Sequence, residues 1–312
     1  MKICVTGGAG FIASHITDAY VALGHDVVVI DNFSSGKHEN VNPKARVIEM
    51  DVTDESILEV FKSEKFDVVN HHAAQMDVRR SVTDPKFDAV TNIIGGLNMY
   101  EAARETGVKK IIFASTGGAI YGEQDYFPAD EKHPQQPYSP YGISKLANEK
   151  YLFYYKQIHG MEYVALRYTN VYGPRQNPHG EAGVVAIFAG KMIEGGQPII
   201  NGDGLQTRDY VYVGDVVRAN VLALGDNAQG IYNVCTTVES TVVDLFRILK
   251  DATGSDCEEK HAEAKAGEQM RSVCSFKKIE SELGWTPQVV LKDGLERTVE
   301  FFKEKHAHRA TA

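Results

Sequence analysis

Eight residues near the amino terminus, Thr6-Gly7-Gly8-Ala9-Gly10-Phe11-Ile12-Ala13, restrict the fold more than any other stretch of the chain. They contain the pattern Gly-x-Gly-x-x-Ala. The pattern follows a short apolar run, Ile3 to Val5, and opens a segment with helical spacing, Phe11 to Leu23. Glycine is needed where a strand turns tightly into a helix and where a side chain would hold a phosphate away from the backbone. Free N–H groups and the positive helix end then face that phosphate. A plain tight turn needs similar glycines, so the context decides. Asp31 closes the next apolar run, Val27 to Ile30, where the ribose-binding acid of a dinucleotide site belongs. A carboxylate there accepts bonds from both ribose hydroxyls and repels a 2′-phosphate, which favours NAD over NADP.

The alternation continues. Arg46 to Met50 reads as a strand, Glu55 to Lys62 as a helix and Val68 to Asn70 as extended chain. Pro85 to Arg104 reads as one long helix with proline in its first turn, stopped by Gly107. Lys110 to Ala114 is the next strand, a helix runs from Pro140 to about His159, and Tyr163 to Tyr168 is again a strand. The series predicts an α/β protein with a Rossmann-type doubly wound parallel sheet. Glycine and proline then interrupt the pattern from Gly173-Pro174 to Pro198, and a smaller mixed α/β substrate-binding lobe is placed toward the C-terminus. Strands at Asp209 to Val213 and Ile231 to Val234 flank a helix from Asp215; helices follow at Thr241 to Thr253 and Leu291 to Lys305. This gives a dinucleotide-binding domain over 1–168, rejoined by about 209–240, and a second lobe from 169–208 and 241–312.

The net charge of −9 argues against a nucleic-acid or anionic-membrane partner. The four cysteines form no CxxC pair and read as reduced thiols of a cytoplasmic protein. The eleven histidines lack ligand spacing, so no metal is expected, and His71-His72 are assigned to packing or hydrogen bonding. No signal segment is expected at the amino terminus, and no apolar run approaches the roughly 18 residues of a membrane span.

Tyr141-Gly-Ile-Ser-Lys145 places a phenol and an ammonium on one face of a helix. Free tyrosine ionises near pH 10, and a nearby ammonium and a positive nicotinamide ring would both favour the phenolate. Ser115 or Thr116, at the end of the fifth strand, offers a hydroxyl to a substrate oxygen and a proton relay, or else caps the strand end. Asp51 suits an adenine amino group or a helix cap, and Ala73-Ala74-Gln75 follow the fourth strand, where such sheets line a ligand crevice.

These stretches, with Tyr121-Gly122, Leu166-Arg167-Tyr168 and Arg208-Asp209-Tyr210-Val211, resemble the extended short-chain dehydrogenase/reductase family over nearly the whole chain. Ser115 to Gly122, Asn170 to Gln176 and Gly180 to Phe188 carry a closer similarity to its members that epimerise UDP-sugars at carbon 4. The resemblance implies NAD-dependent interconversion of UDP-glucose and UDP-galactose through a 4-keto intermediate, in a homodimer. It makes Tyr141 and Lys145 the catalytic pair and matches Thr116, ahead of Ser115, to the hydroxyl position. It implies cofactor contacts from Gly7, Gly10, Phe11 and Ile12, from Asp31, Asn32, Ser35 and Gly36, and from Asp51 and Val52. Ala73, Ala74, Gln75, Asn92, Ser115, Tyr141, Lys145 and Tyr168 complete that set. Asn170, Val184, Val185, Arg208, Lys265 and Glu268 would join Thr116 and Tyr141 at the nucleotide-sugar. An Arg208–Asp209 surface pair is the bland alternative for Arg208.

The chain departs from the family where Lys265-Ala-Gly-Glu268 replaces Arg-x-Gly-Asp, losing a forked contact. Small Ser272 stands at a position that resembles the family's sugar-pocket gate, and the resemblance implies room there for N-acetyl groups. A 4,6-dehydratase would need an acid and a base where Gly117-Gly118 stand. An enzyme acting on UDP-glucuronate would need a further cation, for which Arg79 or Arg80 is available. A non-catalytic NAD-sensing scaffold would have no use for the Tyr–Lys pair.

Overall fold

A computed structural model describes residues 1–178, 183–264 and 269–311. The β-branched runs become strands and the amphipathic stretches between them become helices. In order come β1 (Lys2–Thr6), α1 (Phe11–Ala22), β2 (Asp26–Asp31), β3 (Arg46–Glu49), α2 (Ile57–Glu64) and β4 (Val68–His71). Short helices α3 (Val78–Thr83) and α4 (Pro85–Ala89) lead through a π-helical turn, Val90–Ile94, into α5 (Gly95–Thr106). Next are β5 (Lys110–Thr116), α6 (Pro140–His159), β6 (Glu162–Tyr168), β7 (Asn170–Tyr172), α7 (Val184–Ile193), β8 (Ile200–Asn201) and β9 (Thr207–Tyr212). The chain continues through α8 (Val213–Ala223), β10 (Gly230–Val234), β11 (Glu239–Thr241), α9 (Val242–Thr253), β12 (His261–Ala262), β13 (Arg271–Ser272), α10 (Lys277–Leu283) and α11 (Leu291–Thr311).

Seven strands form one parallel sheet in the order β10-β6-β5-β4-β1-β2-β3. The chain winds outward from β1 to β3, then restarts at β4 on the other side of β1. The carboxyl ends of β1 and β4 therefore flank the switch point, where open α/β sheets leave a ligand crevice. Both faces are covered, so the strands are apolar almost throughout. Ile3, Val5, Ile112 and Ala114 pack toward α1 and α8, while Cys4, Val69, Ile111 and Phe113 pack toward α2, α5 and α6. A four-stranded sheet has β9 bordered by β11 and β13, with β7 also paired to β9. A third core joins α7, α9 and α11. After β9, the chain regains the large sheet through α8 and β10.

The segment expected as one helix from Pro85 to Arg104 is broken. Asp84 caps α4 by accepting from Phe87 N, but the Asn92 carbonyl accepts from Asn148 Nδ2 of α6 at 2.9 Å. That tertiary bond draws the carbonyl aside and accompanies the widened turn. α7 escaped the periodicity reading because Val-Val-Ala-Ile-Phe-Ala-Gly-Lys-Met-Ile has almost no polar face.

Candidate active site

The β1–α1 turn leaves space that side chains would fill. Gly7 has φ +68°, and a Cβ there would stand 2.8 Å from Ala73 N. Gly10 begins α1 without a side-chain cap, and no acidic residue occupies the first turn, so its N–H groups suit an anion. Asp31 is nearly buried, with Oδ2 accepting from Ala9 N at 2.9 Å and Oδ1 from Phe33 N at 2.8 Å. Two backbone donors thus fix the carboxylate beside the turn. Gly36 closes the cradle, since a Cβ there would lie 2.8 Å from Ala9 Cβ and 2.9 Å from Asp31 Oδ1. An uncapped helix end, an anchored acid and small residues at 36, 73 and 74 fit a dinucleotide.

Asn32 Nδ2 donates to Asp51 Oδ2 at 2.6 Å, and Asp51 Oδ1 accepts from Thr53 N and Oγ1. Burial pushes the Asp51 carboxyl up, but the bonds from Thr53 and Asn32 outweigh it and hold it low. Asp51 caps a turn at Thr53 and not a helix, because α2 begins only after Ser56. Val52 is buried in the core and its carbonyl accepts from Asn98 Nδ2. Ser35 lies in the loop that follows Asn32.

Gln75 and Asn92 hold each other. Gln75 N donates to Asn92 Oδ1, and Asn92 Nδ2 donates to Gln75 O, both at 2.9 Å. Each also donates a side-chain N–H to Asp88 Oδ1 at 3.0 Å. Asp88 was missed in the sequence, where only its four-residue spacing from Asn92 marked a shared helix face. The Tyr168 hydroxyl accepts from Asn220 Nδ2 at 2.9 Å and lies 3.1 Å from His72 Nε2. Burial, then the Lys145 charge, pushes His71 and His72 down to about 3, so both rings are neutral at pH 7.

Ser139 caps α6, accepting from Gly142 N, and Pro140 takes the first helical position. This sets Tyr141 and Lys145 one turn apart at the end nearest the crevice. Lys145 is 4% exposed; its Nζ donates to Ala114 O at 2.8 Å and lies 5.8 Å from the Tyr141 ring centre. Burial pulls the ammonium down to about 8, against the charges of Asp88 and Glu149. Burial, then Asp88, pushes the Tyr141 phenol well above its ordinary range. The phenol is therefore held in its protonated form, and a positive charge bound beside it would favour ionisation.

Alternation along β5 separates the two hydroxyls. Ser115 turns toward α6 and donates to Glu149 Oε1 at 2.5 Å, so its hydroxyl is already engaged. Thr116 faces the other way, at the strand end paired with Tyr168.

On the opposite wall, Asn170 Nδ2 donates to Asp209 O at 3.3 Å, and Val184 and Val185 form the first turn of α7. Arg208 Nη1 donates to Thr207 O at 2.8 Å, and Ser272, buried, stands opposite Arg208 in the β13–β9 register. Arg208 and Asp209 project to opposite faces of β9. The Asp209 carboxylate is taken by Thr236 and Thr237, which corrects the surface pair weighed above. Lys265 and Glu268 lie outside the described residues. Arg79 and Arg80 are exposed on α3, with Arg79 Nε 3.5 Å from Asp77 Oδ1 and Arg80 over the Phe87 ring.

The model of the NAD dependent epimerase/dehydratase family matches residues 3–235. A UDP-glucose 4-epimerase from Thermotoga maritima, solved with UDP-glucose, is 48% identical with a TM-score of 0.95, covering 98% of this chain and 100% of that one. The Thermus thermophilus UDP-glucose 4-epimerase, solved with NAD, is 45% identical with a TM-score of 0.93, covering 97% and 99%. The Mycolicibacterium smegmatis UDP-glucose 4-epimerase is 42% identical over 311 residues, 98% of this chain and 99% of that protein.

Proposed function

The chain belongs to the NAD dependent epimerase/dehydratase family, and on that footing we propose that it interconverts UDP-glucose and UDP-galactose through a 4-keto intermediate. One observation carries the reading. A Tyr141–Lys145 pair, its lysine buried and its tyrosine half-buried, opens beside a dinucleotide cradle, with Gly117-Gly118 where dehydration would need an acid and a base.

Asp31 would take the ribose hydroxyls and the α1 amino end the pyrophosphate. NAD, when bound, accepts hydride from sugar carbon 4 and gives it back, so the cycle has no net oxidation. Tyr141 removes the proton of the 4-hydroxyl and later returns it, with the sugar turned to its other face. The Thr116 hydroxyl, free of protein partners among the described residues, bonds the same oxygen. Lys145 holds the cofactor ribose and adds positive charge beside the phenol. Arg208 takes the diphosphate through its planar fork, while Asn170, Val184 and Val185 seat the nucleotide-sugar. The nucleotide is thereby anchored while the sugar end turns. Lys265 and Glu268 join this set in place of the family's Arg and Asp. The proposed division into a cofactor domain and a sugar lobe is supported by the presence of smaller sheets beside the seven-stranded one.

No helix among the described residues is long and apolar enough to cross a membrane. The proposed assembly is a cytoplasmic homodimer paired through α6 and the α4–α5 run. It is supported by Ile143, Phe153, Tyr154 and Ile158 on α6, which are large, apolar and exposed.

Incubation with UDP-glucose in heavy water, followed by NMR, tests the activity. UDP-galactose without deuterium at carbon 5 is expected, since that proton never leaves. A deoxy product carrying deuterium there means dehydration and overturns the reading.

A further inference from the structure

We propose that Asp88 is a positioning residue for the Tyr141–Lys145 pair. It is a buried carboxylate without a cationic partner that ties the catalytic helix to the cofactor loop and keeps Tyr141 able to return the proton it takes. The inference rests on the epimerase reading, in which one phenol must both accept and release a proton in every turnover.

Asp88 sits on α4 with no exposed surface. Its Oδ1 accepts from Gln75 Nε2 and Asn92 Nδ2, both at 3.0 Å, and its Oδ2 accepts from Ser144 Oγ at 2.7 Å. Gln75 lies in the loop after β4, Asn92 in the π-helical turn, and Ser144 immediately before Lys145. One carboxylate therefore joins the crevice loop, the bend in the helix run and the helix that carries the chemistry. Among the described residues it makes no direct ion pair; three neutral donors hold it, and the Lys145 ammonium acts on it from beyond contact.

The remaining groups around Tyr141 narrow the field it feels. His71 and His72, at the end of β4, are neutral at pH 7. Glu149, further along α6, is matched by Arg167. Lys145 and Asp88 remain, with opposite signs. Burial and then Asp88 favour the protonated phenol, and Asp88 also steadies the Lys145 ammonium against burial. A pyridinium and the ammonium would both favour the phenolate, which takes the proton; giving it back needs the opposite bias. Asp88, tied by Ser144 to the helix that carries both groups, supplies part of that bias by favouring the protonated phenol.

Asp88→Asn removes the charge and keeps the shape. The amide oxygen still accepts from Gln75 and Asn92, and the Ser144 hydroxyl can accept the new N–H. Two midpoints are measured in the NAD-loaded protein: the acid limb of kcat/KM for UDP-glucose, and the phenolate absorbance, with Tyr141→Phe as blank. Both should move to lower pH by about one unit, as for loss of a nearby like charge. Asp88→Ser, also uncharged, should move them the same way if the amide variant does not fold. Ser144→Ala cuts the tether and keeps the charge, so its midpoints should stay in place. Unmoved midpoints in both Asp88 variants, or an equal shift in Ser144→Ala, overturn the proposal. Wild type that leaves UDP-glucose unchanged refutes the epimerase reading separately, and the absorbance titration still decides the role of Asp88.

Discussion

Arg167 and Glu149 form a two-pronged ion pair in which neither side chain has any exposed surface. Nη2 lies 2.6 Å from Oε2 and Nε lies 2.9 Å from Oε1. Ser115 Oγ donates to the same Oε1, and Arg167 Nη1 donates to the Tyr121 hydroxyl, which in turn donates to Asn233 Oδ1. The pair thus binds β5, β6, α6 and β10 together behind the crevice.

Breaking such a pair strands a charge away from water. Arg167→Met should cost about 3–5 kcal/mol in urea unfolding, because Glu149 would remain buried and unmatched. Changing both to methionine should recover much of that loss, since apolar packing avoids desolvating two ions. A single replacement no worse than an ordinary surface change would contradict this account.

The Tyr141 hydroxyl makes no hydrogen bond among the described residues, and its ring packs at the start of α6. Tyr141→Phe should therefore leave fold and NAD content intact while lowering epimerisation by roughly 10²- to 10⁴-fold, the usual worth of a general base. Co-purified cofactor and turnover are read on the same sample. Normal turnover in that variant would remove Tyr141 from the chemistry.

The parts of this fold that were legible in the sequence are those written in neighbouring residues. Val27 to Ile30 is β-branched because its strand is covered on both faces, and Gly7 to Gly10 are small because backbone and ligand approach there. The parts that were not legible depend on distant partners. Asp88 gains its meaning from Ser144, 56 residues away, and the break at Val90–Ile94 from Asn148. Neither leaves a periodic trace in the chain. Ser115 and Thr116 look interchangeable as letters; only the direction of β5 tells them apart.

Asp31 is held by Ala9 N and Phe33 N, so its remaining lone pairs are oriented before any ligand arrives. Asp31→Ala should weaken NAD binding by about 10- to 100-fold, from the loss of charge-assisted bonds of about 1.5–3 kcal/mol. It should also narrow the preference for NAD over NADP, because the group that repels a 2′-phosphate is gone. Calorimetric titration with both dinucleotides checks this, and unchanged NAD affinity would overturn the ribose assignment.

Asp209 is buried, and burial pushes its carboxyl up to about 6 against the bonds from Thr236 and Thr237. A carboxyl that binds its proton more tightly when folded adds stability that is full below its unfolded value, about 3.9. That contribution is lost as pH rises through 6. The stability of wild type relative to Asp209→Asn should therefore fall between about pH 4 and 6 and level off above. Urea midpoints of both proteins across that range read the difference, in which shared carboxylates cancel. A gap that stays constant from pH 4 to 7 would mean that Asp209 keeps its ordinary affinity.

Ser115 and Thr116 end the same strand, yet they should fail differently when changed. Ser115 Oγ gives its proton to Glu149 at 2.5 Å inside a closed network, so Ser115→Ala leaves a buried acceptor short of a donor. The expected cost is about 1–3 kcal/mol of stability with kcat nearly intact. Thr116 projects to the other side of β5, and its hydroxyl has no protein partner among the described residues. Thr116→Val keeps the shape and removes only the hydroxyl, so stability should hold while kcat falls by roughly tenfold or more, as for the loss of one bond to a reacting oxygen. Denaturation and turnover measured side by side separate the two. A catalytic loss in Ser115→Ala with a stability loss in Thr116→Val would reverse the assignment, and with it the face of β5 from which the sugar is addressed.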